Sequence, residues 1–476
     1  VVAVLCFGGL CAALMQTLVI PIQGELPELL HTSVSNASWV VTATLLGGAV
    51  AMPVAGRLAD LLGKRPVLVT SAAILVVGSM VCALSDGVSG MLVGRALQGL
   101  AMGFIPVAIS LVRELVPPKM SATAIAALSA TMGVGAAIGL PLAAWVVQSF
   151  NWHTLFWGSA ALAAVVLATT VLAVPRVRDT NPGRLDMVGA IGIAIGLVAV
   201  LVGVSKGNDW GWGDVSTLGM IIGGVVVLAC WAAYELRHHD PIVDLRVTAR
   251  GPVALTNLAA TLIGFGMMAQ SIVVPQLLEM PTASGYGLGQ TLLEAGLWMA
   301  PGGLMMMAMA PVSSRLLNTI GGRTTLTIGA SVLGCGYLVA LMLMQAPWQM
   351  MVAMCVGSAG VGIGYAAMPT LILENVPMRE ASAGVAFNTL MRSIGTTVAG
   401  AVMATLLTSR TVELTPGTQI PSEGAFQLCF LVGAVAAFAG AAIALLIPRN
   451  RGVEPVVPND VSRTPEVSGE LLPSGR

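Results

Sequence analysis

Gly56-Arg57-Leu58-Ala59-Asp60-Leu61-Leu62-Gly63-Lys64-Arg65-Pro66 is the stretch on which the reading of the chain turns. Four charges fall within it, in a chain that is only 9% charged. Long apolar runs flank it on both sides. Gly56 and Gly63 permit a tight reversal and close backbone approach. Lys64 and Arg65 suit the cytoplasmic face of a membrane, where basic residues collect. The stretch therefore reads as a short charged turn between two membrane spans.

Composition agrees. The 476 residues are 56% hydrophobic with a mean hydropathy of +0.89, too apolar for a surface wetted all round. Apolar runs of about 18–25 residues recur, each long enough for ~30 Å of hydrocarbon. The 56 glycines fit closely packed membrane helices. The net charge is zero, so nothing points to nucleic acid. The seven cysteines all lie in apolar runs, with no C-x-x-C spacing and no neighbouring His, and read as packing residues. No cleavable signal peptide is legible. The chain opens without Met and inside an apolar run, so a trimmed N-terminus is expected.

Fourteen spans follow, near 1–22, 38–56, 66–85, 89–113, 121–148, 155–175, 186–205, 215–235, 253–277, 291–311, 323–344, 349–373, 382–408 and 425–447. With the 56–66 turn inside, the inside loops and tail hold all but four of the 22 Lys and Arg. The outside loops hold only Lys206 and Arg410, and Arg95 and Arg392 fall within spans. That asymmetry puts both termini in the cytoplasm. An internal repeat is also legible. Arg57-Leu58-x-Asp60-x-x-Gly63-x-Arg65 returns as Arg315-Leu316-x-Asn318-x-x-Gly321-x-Arg323, and Gly94…Pro106 returns as Gly357…Pro369. The expected organisation is a six-helix bundle over 1–175, two inserted helices over 186–235, a second six-helix bundle over 253–447 and a disordered tail over 449–476.

The charged turn resembles the loop signature G-x-L-A-D-x-x-G-[RK]-[RK] of the major facilitator superfamily, in which it joins the second and third spans. The resemblance covers residues 1–448 and is to the fourteen-span drug:proton antiporter branch. It implies an all-α integral membrane protein with 14 transmembrane helices in a 6+2+6 arrangement. It further implies a multi-pass exporter of the bacterial inner membrane that passes small hydrophobic or cationic molecules outward against protons, with no cofactor, no metal and a monomeric state. In the gating turn, the resemblance gives the roles to Gly56, Arg57, Asp60, Gly63, Lys64 and Arg65. Asp60 and Arg65 are expected to latch onto neighbouring helix ends.

Within the spans, Arg95, Gln98, Gly99 and Met102 share one helical face. The run resembles the span-4 motif R-x-x-q-G, whose Arg handles protons or substrate charge. The alternative is an Arg that snorkels to the interface and braces the fold. In span 5, Gly135, Gly139 and Pro141 resemble a degenerate antiporter motif, and small residues four apart also simply allow close packing. Span 1 departs from the branch. Met15 stands where those exporters carry an intramembrane Asp, which removes the usual proton carrier. Glu25 and Glu28 at the outer end of that helix are the replacement candidates, followed by Glu294, because a carboxylate drawn into an apolar vestibule takes up protons more readily. Solvated loop carboxylates are the bland alternative. Gln16, Trp39, Thr42, Gln270, Asn388 and Arg392 are expected to line the substrate path, with Arg392 either gating the cavity or pairing with Glu374 or Glu380. His238 and His239 point apart on any helix and read as solvated loop. No P-loop and no Ser, His and Asp constellation is present, so neither ATP-driven transport nor enzyme chemistry is expected.

Overall fold

The structure is a computed structural model that describes residues 1–19, 22, 26–176, 184–415 and 418–448. The chain opens with α1 (Val2–Thr17), a short α2 (Leu26–Leu29), α3 (Val34–Leu62) and α4 (Lys64–Ala83). Next come α5 (Val88–Leu100) and α6 (Phe104–Leu115), joined by one 3-10 turn, then α7 (Pro118–Ser149) and α8 (His153–Ala173). An antiparallel pair follows, α9 (Met187–Trp210) and α10 (Val215–Glu235), and then the short α11 (Leu245–Thr248). The remainder is α12 (Gly251–Glu279), α13 (Leu292–Ala308), α14 (Ala310–Met342), α15 (Pro347–Tyr365), α16 (Ala367–Asn375), α17 (Ala381–Ser409) and α18 (Glu423–Leu446).

Among the described residues, eleven helical segments are long and apolar enough to cross a membrane. One of them, Leu292–Met342, runs for 51 residues and contains a non-helical residue, Gly321. Val2–Met15 and Met120–Gly135 are apolar but shorter. The fold is all-helical, as expected, apart from one short hairpin between α17 and α18. Thr411–Thr415 (β1) and Thr418–Pro421 (β2) pair antiparallel, with Thr411 opposite Pro421 and Val412 opposite Ile420. The alternation of Thr, Val, Glu and Leu there has a strand period, which the helical background of the sequence obscured. The tail from 449 on and Glu25 lie outside the described residues.

Side chains capture the helix starts where the chain re-enters the bundle. Ser33, Asp186, Asp214, Thr291 and Ser422 each accept a hydrogen bond from a backbone N–H of the turn they precede. Without these caps the first N–H groups of each helix would lack partners. The repeat seen in the sequence has physical counterparts. Gly63 and Gly321 both take positive φ, at 92° and 81°, which suits glycine and breaks the helix at each charged turn. The α5–α6 and α15–α16 segments each break just before a proline, Pro106 or Pro369, that stands third in the following helix.

Packing follows small residues. α12 and α17 approach backbone to backbone: a methyl group added to Gly395 would stand 1.9 Å from the Thr261 carbonyl oxygen. α3 and α5 meet in the same way at Gly47 and Gly99. α9 packs on both α3 and α17, burying Ile193, Leu197 and Leu201 against Met52 and Leu390. Its partner α10 has only 17% of its apolar window buried, so its hydrophobic face is left to lipid. Within α9, Lys206 lies inside the helix and is 1% exposed, contrary to the loop position read from the sequence. Its ammonium donates to Ser38 Oγ and to Asp209 Oδ2 (3.0 Å), which is what allows the helix to continue past it.

The Gly395 contact is testable within one helix. Gly395→Ala overpacks the α12–α17 crossing and is expected to cost about 1–3 kcal/mol. Gly400→Ala, whose added methyl meets only Ile272 Cδ1 at 4.0 Å, should be near neutral. Thermal unfolding of the two purified variants checks the order, and equal midpoints would refute the packing argument.

Candidate functional site

The end of the bundle that carries the 56–66 turn is here termed the basic end. Asp60 is 4% exposed. Its two carboxylate oxygens accept from the backbone N–H groups of Ser382 (3.1 Å) and Ala383 (2.9 Å), at the start of α17. A helix start offers unpaired N–H groups and a positive dipole end, so a carboxylate is the group that fits. One turn back, Gly56 makes the approach possible: a methyl there would come within 2.8 Å of the Ser382 carbonyl oxygen. The hydroxyls of Ser110 and Ser382 are 2.7 Å apart and extend the junction to α6.

The cations of the turn work differently. Lys64 pairs with Glu114 at the end of α6. Arg65 donates to the Val171 carbonyl oxygen (2.6 Å) near the end of α8. Its repeat partner Arg323 donates to the Leu445 carbonyl oxygen near the end of α18. A cation at helix C-terminal carbonyls is favourable, and both repeats use the same device. Arg57 lies 3.9 Å from Asp240 in the α10–α11 connection. Asn318, the counterpart of Asp60, is exposed, so the carboxylate junction has no equivalent at the second turn. There α7 and α14 meet through Thr123 and Ser314, 2.6 Å apart.

Arg95 turns inward rather than snorkelling, and is 2% exposed. It donates to Gln98 Oε1 (2.7 Å), the Val40 carbonyl (3.3 Å) and the Met15 carbonyl (3.4 Å). Gln98 in turn donates to Ser79 Oγ (2.9 Å), a partner on α4 that spacing along α5 did not reveal. Gly99 lies against the backbone of α3. The span-4 face is therefore a closed knot joining α1, α3, α4 and α5, beside a cavity of only about 20 Å³.

Arg392 is 6% exposed and pairs with neither Glu374 nor Glu380. Its guanidinium stands 4.3 Å from the centroid of the Tyr365 ring, and the Tyr365 hydroxyl donates to Met132 Sδ (2.9 Å). Asn388, one turn before Arg392, donates to Asn257 Oδ1 (2.9 Å). Tyr365 and Asn257 were not singled out from the sequence, although a lone Asn in an apolar span was the available signal. Gln270 donates to the Ala353 carbonyl (3.4 Å) and packs against Gly357.

The other candidates are dispersed. Trp39 has the Lys206 ammonium 5.0 Å from its ring centroid, and Thr42 donates to the Ser38 carbonyl. Gln16 lies in α1, its side chain outside the described residues. Gly135 abuts Ala13 and the Leu10 carbonyl of α1, Gly139 is buried, and Pro141 faces Gly296 of α13. Glu28 is exposed. Glu294 is also exposed, and its carboxylate accepts from the Thr291 N–H and hydroxyl in a capping box. A cavity of about 320 Å³ opens at the basic end between Arg57, His239, Asp240, Asn257 and Phe387.

The Arg95 knot gives a stability test. Gln98→Leu removes the nearest acceptor of a buried cation and is expected to cost ~1.5–3 kcal/mol, read as a lowered thermal midpoint. An unchanged midpoint would mean that the guanidinium does not depend on Gln98.

Comparison with known proteins follows this geometry. The family model of the Major Facilitator Superfamily matches residues 5–400. The uncharacterized MFS-type transporter Rv1877 of Mycobacterium tuberculosis is 31% identical over 420 residues, which are 85% of this chain and 59% of that relative. This chain thus spans about three-fifths of that relative's length. The tetracenomycin C resistance and export protein of Streptomyces glaucescens is 27% identical over 417 residues, 86% of this chain and 76% of that protein. Among solved structures, the human organic anion transporter MFSD10 (TETRAN) superposes with a TM-score of 0.66 at 15% identity, covering 93% of this chain and 98% of that one, a likeness of fold alone. The chain that carries this charged turn and these paired helix breaks belongs to the Major Facilitator Superfamily, a family of membrane transporters.

Proposed function

We propose that the chain is a secondary active exporter of small organic molecules, working by alternating access in exchange for protons. The observation that carries this reading is the Asp60 junction with the start of α17. It ties two parts of the chain 322 residues apart at one end of the bundle through bonds that a rocking motion can break and remake. On this reading the chain crosses the bilayer fourteen times. The 51-residue segment counts as two crossings because of the break at Gly321, and α1 and α7 supply two more. Residues 1–175 and 253–447 are the two moving bundles, 186–235 the inserted pair, and the basic end is cytoplasmic in a bacterial inner membrane. Export of a drug or antibiotic is supported by the name of the Streptomyces relative.

A second reading, a narrow-specificity exporter of an endogenous metabolite, is favoured by one observation. Met15 stands where the resemblance leads one to expect an Asp, and its backbone carbonyl is taken up by Arg95. Among the described residues, Glu28 and Glu294 are both exposed, and Glu294 is engaged as a cap.

Everted vesicles separate these readings and test the junction. Energised wild-type vesicles should move members of a panel of cationic, neutral and anionic dyes, and a protonophore should abolish the movement. Movement of a single compound class supports the narrow exporter, and movement of none across a wide panel contradicts export. Asp60→Asn weakens charge-assisted bonds of ~1–3 kcal/mol, enough to shift a two-state balance about 5–150-fold. It should therefore lower transport at unchanged membrane expression. Undiminished transport would remove the junction from the mechanism.

A further inference from the structure

The interior of the bundle carries positive charge without carboxylates to match it. Among the described residues, every Asp and Glu lies in a loop, in the β1–β2 hairpin or within about one turn of a helix end. Arg95 and Arg392 lie deeper. Arg95 is satisfied by neutral oxygens. Arg392 is not: its one close partner among the described residues is the Tyr365 ring, and no oxygen accepts from its nitrogens. Those nitrogens are not sealed off, unlike Asn257 Nδ2, which is buried without an acceptor one turn nearer the basic end. A guanidinium stays charged in proteins and presents five N–H donors in a fork that matches a carboxylate. An unmatched cation about 16 Å from the start of its helix and about 25 Å from its end is costly in a low-dielectric interior. An anion that enters from water relieves that cost.

We propose that Arg392 forms a binding site for the acidic group of an organic anion. The rest of the ligand lies against Tyr365 and Met132, which come from α15 and α7. Thioethers and an aromatic ring suit an apolar body of variable shape. The substrate class is then an amphipathic organic acid, which narrows the small hydrophobic or cationic molecule that the family resemblance implies and excludes the cation. Binding stands on the geometry alone. That the bound anion is cargo rests on the exporter reading.

A matched pair of probes tests this: 2-naphthoate and 2-naphthylmethylammonium share a ring system and differ in charge. Their affinities are measured by equilibrium dialysis against the purified full chain in detergent. Wild type should bind the naphthoate at least about tenfold more tightly, and Arg392→Gln should bring the two within about twofold. Arg392→Lys, which keeps the charge but loses the fork, should retain part of the preference. Naphthoate binding that is absent, equal to or weaker than that of the ammonium in wild type overturns the proposal, as does a preference that survives Arg392→Gln. If Arg392→Gln does not fold, the wild-type comparison and Arg392→Lys still decide. Counterflow of naphthoate in proteoliposomes is the separate readout for transport: a chain that binds the anion selectively but does not carry it keeps the site and loses the exporter reading.

Discussion

A carboxylate buried against the first turn of another helix is the constraint on which the basic end depends. Asp60 is buried away from bulk solvent, and the first N–H groups of α17 have no intrahelical acceptors. Each solves the problem of the other, and only when α3 and α17 are in contact. Gly56 brings the backbones near enough for the bonds to form. Separating the helices exposes both partners, so the contact has two natural conditions: closed and dry, or open and hydrated. The cations of the same turn stay with α6 and α8 and brace the turn rather than bridge it.

Three of the buried charges meet three different fates. Asp60 is matched by a helix start, Arg95 by carbonyl and amide oxygens, and Arg392 by an aromatic face alone. The first two are structural solutions that close on themselves. The third leaves donors facing the interior, and so distinguishes a place where a ligand completes the electrostatics. Lys206, paired with Asp209 and Ser38, belongs with the closed solutions and fastens α9 to α3.

Much of the fold was legible because membrane spans announce themselves by length and apolarity. The charged turn, its echo at 315–323 and the matching prolines Pro106 and Pro369 all found physical counterparts, since helix breaks need glycine or proline and these stand out in sequence. What escaped notice was lateral. Ser79 beside Gln98, Tyr365 beneath Arg392 and Asn257 beside Asn388 come from different helices, and no spacing along one helix encodes which neighbour it faces. Lys206 was misplaced because a cation near a span end normally marks the interface, whereas here Ser38 of α3 and Asp209 hold its ammonium against the helices. The 411–421 hairpin was missed because its strand period is short and lies between long apolar runs.

The most direct test of the junction as a gate is a reversible lock. Ser110→Cys and Ser382→Cys, made together in a background with the seven native cysteines replaced, place two thiols where the structure holds two hydroxyls 2.7 Å apart, at the residue whose N–H bonds Asp60, and so fasten the α3–α17 junction. Transport by the reconstituted protein is followed under oxidising conditions and again after reduction. The account predicts that oxidation stops transport and that reduction restores it, because a bundle fastened at the basic end cannot open there. A locked protein that transports at the reduced rate would show that separation of α3 and α17 is not part of the cycle.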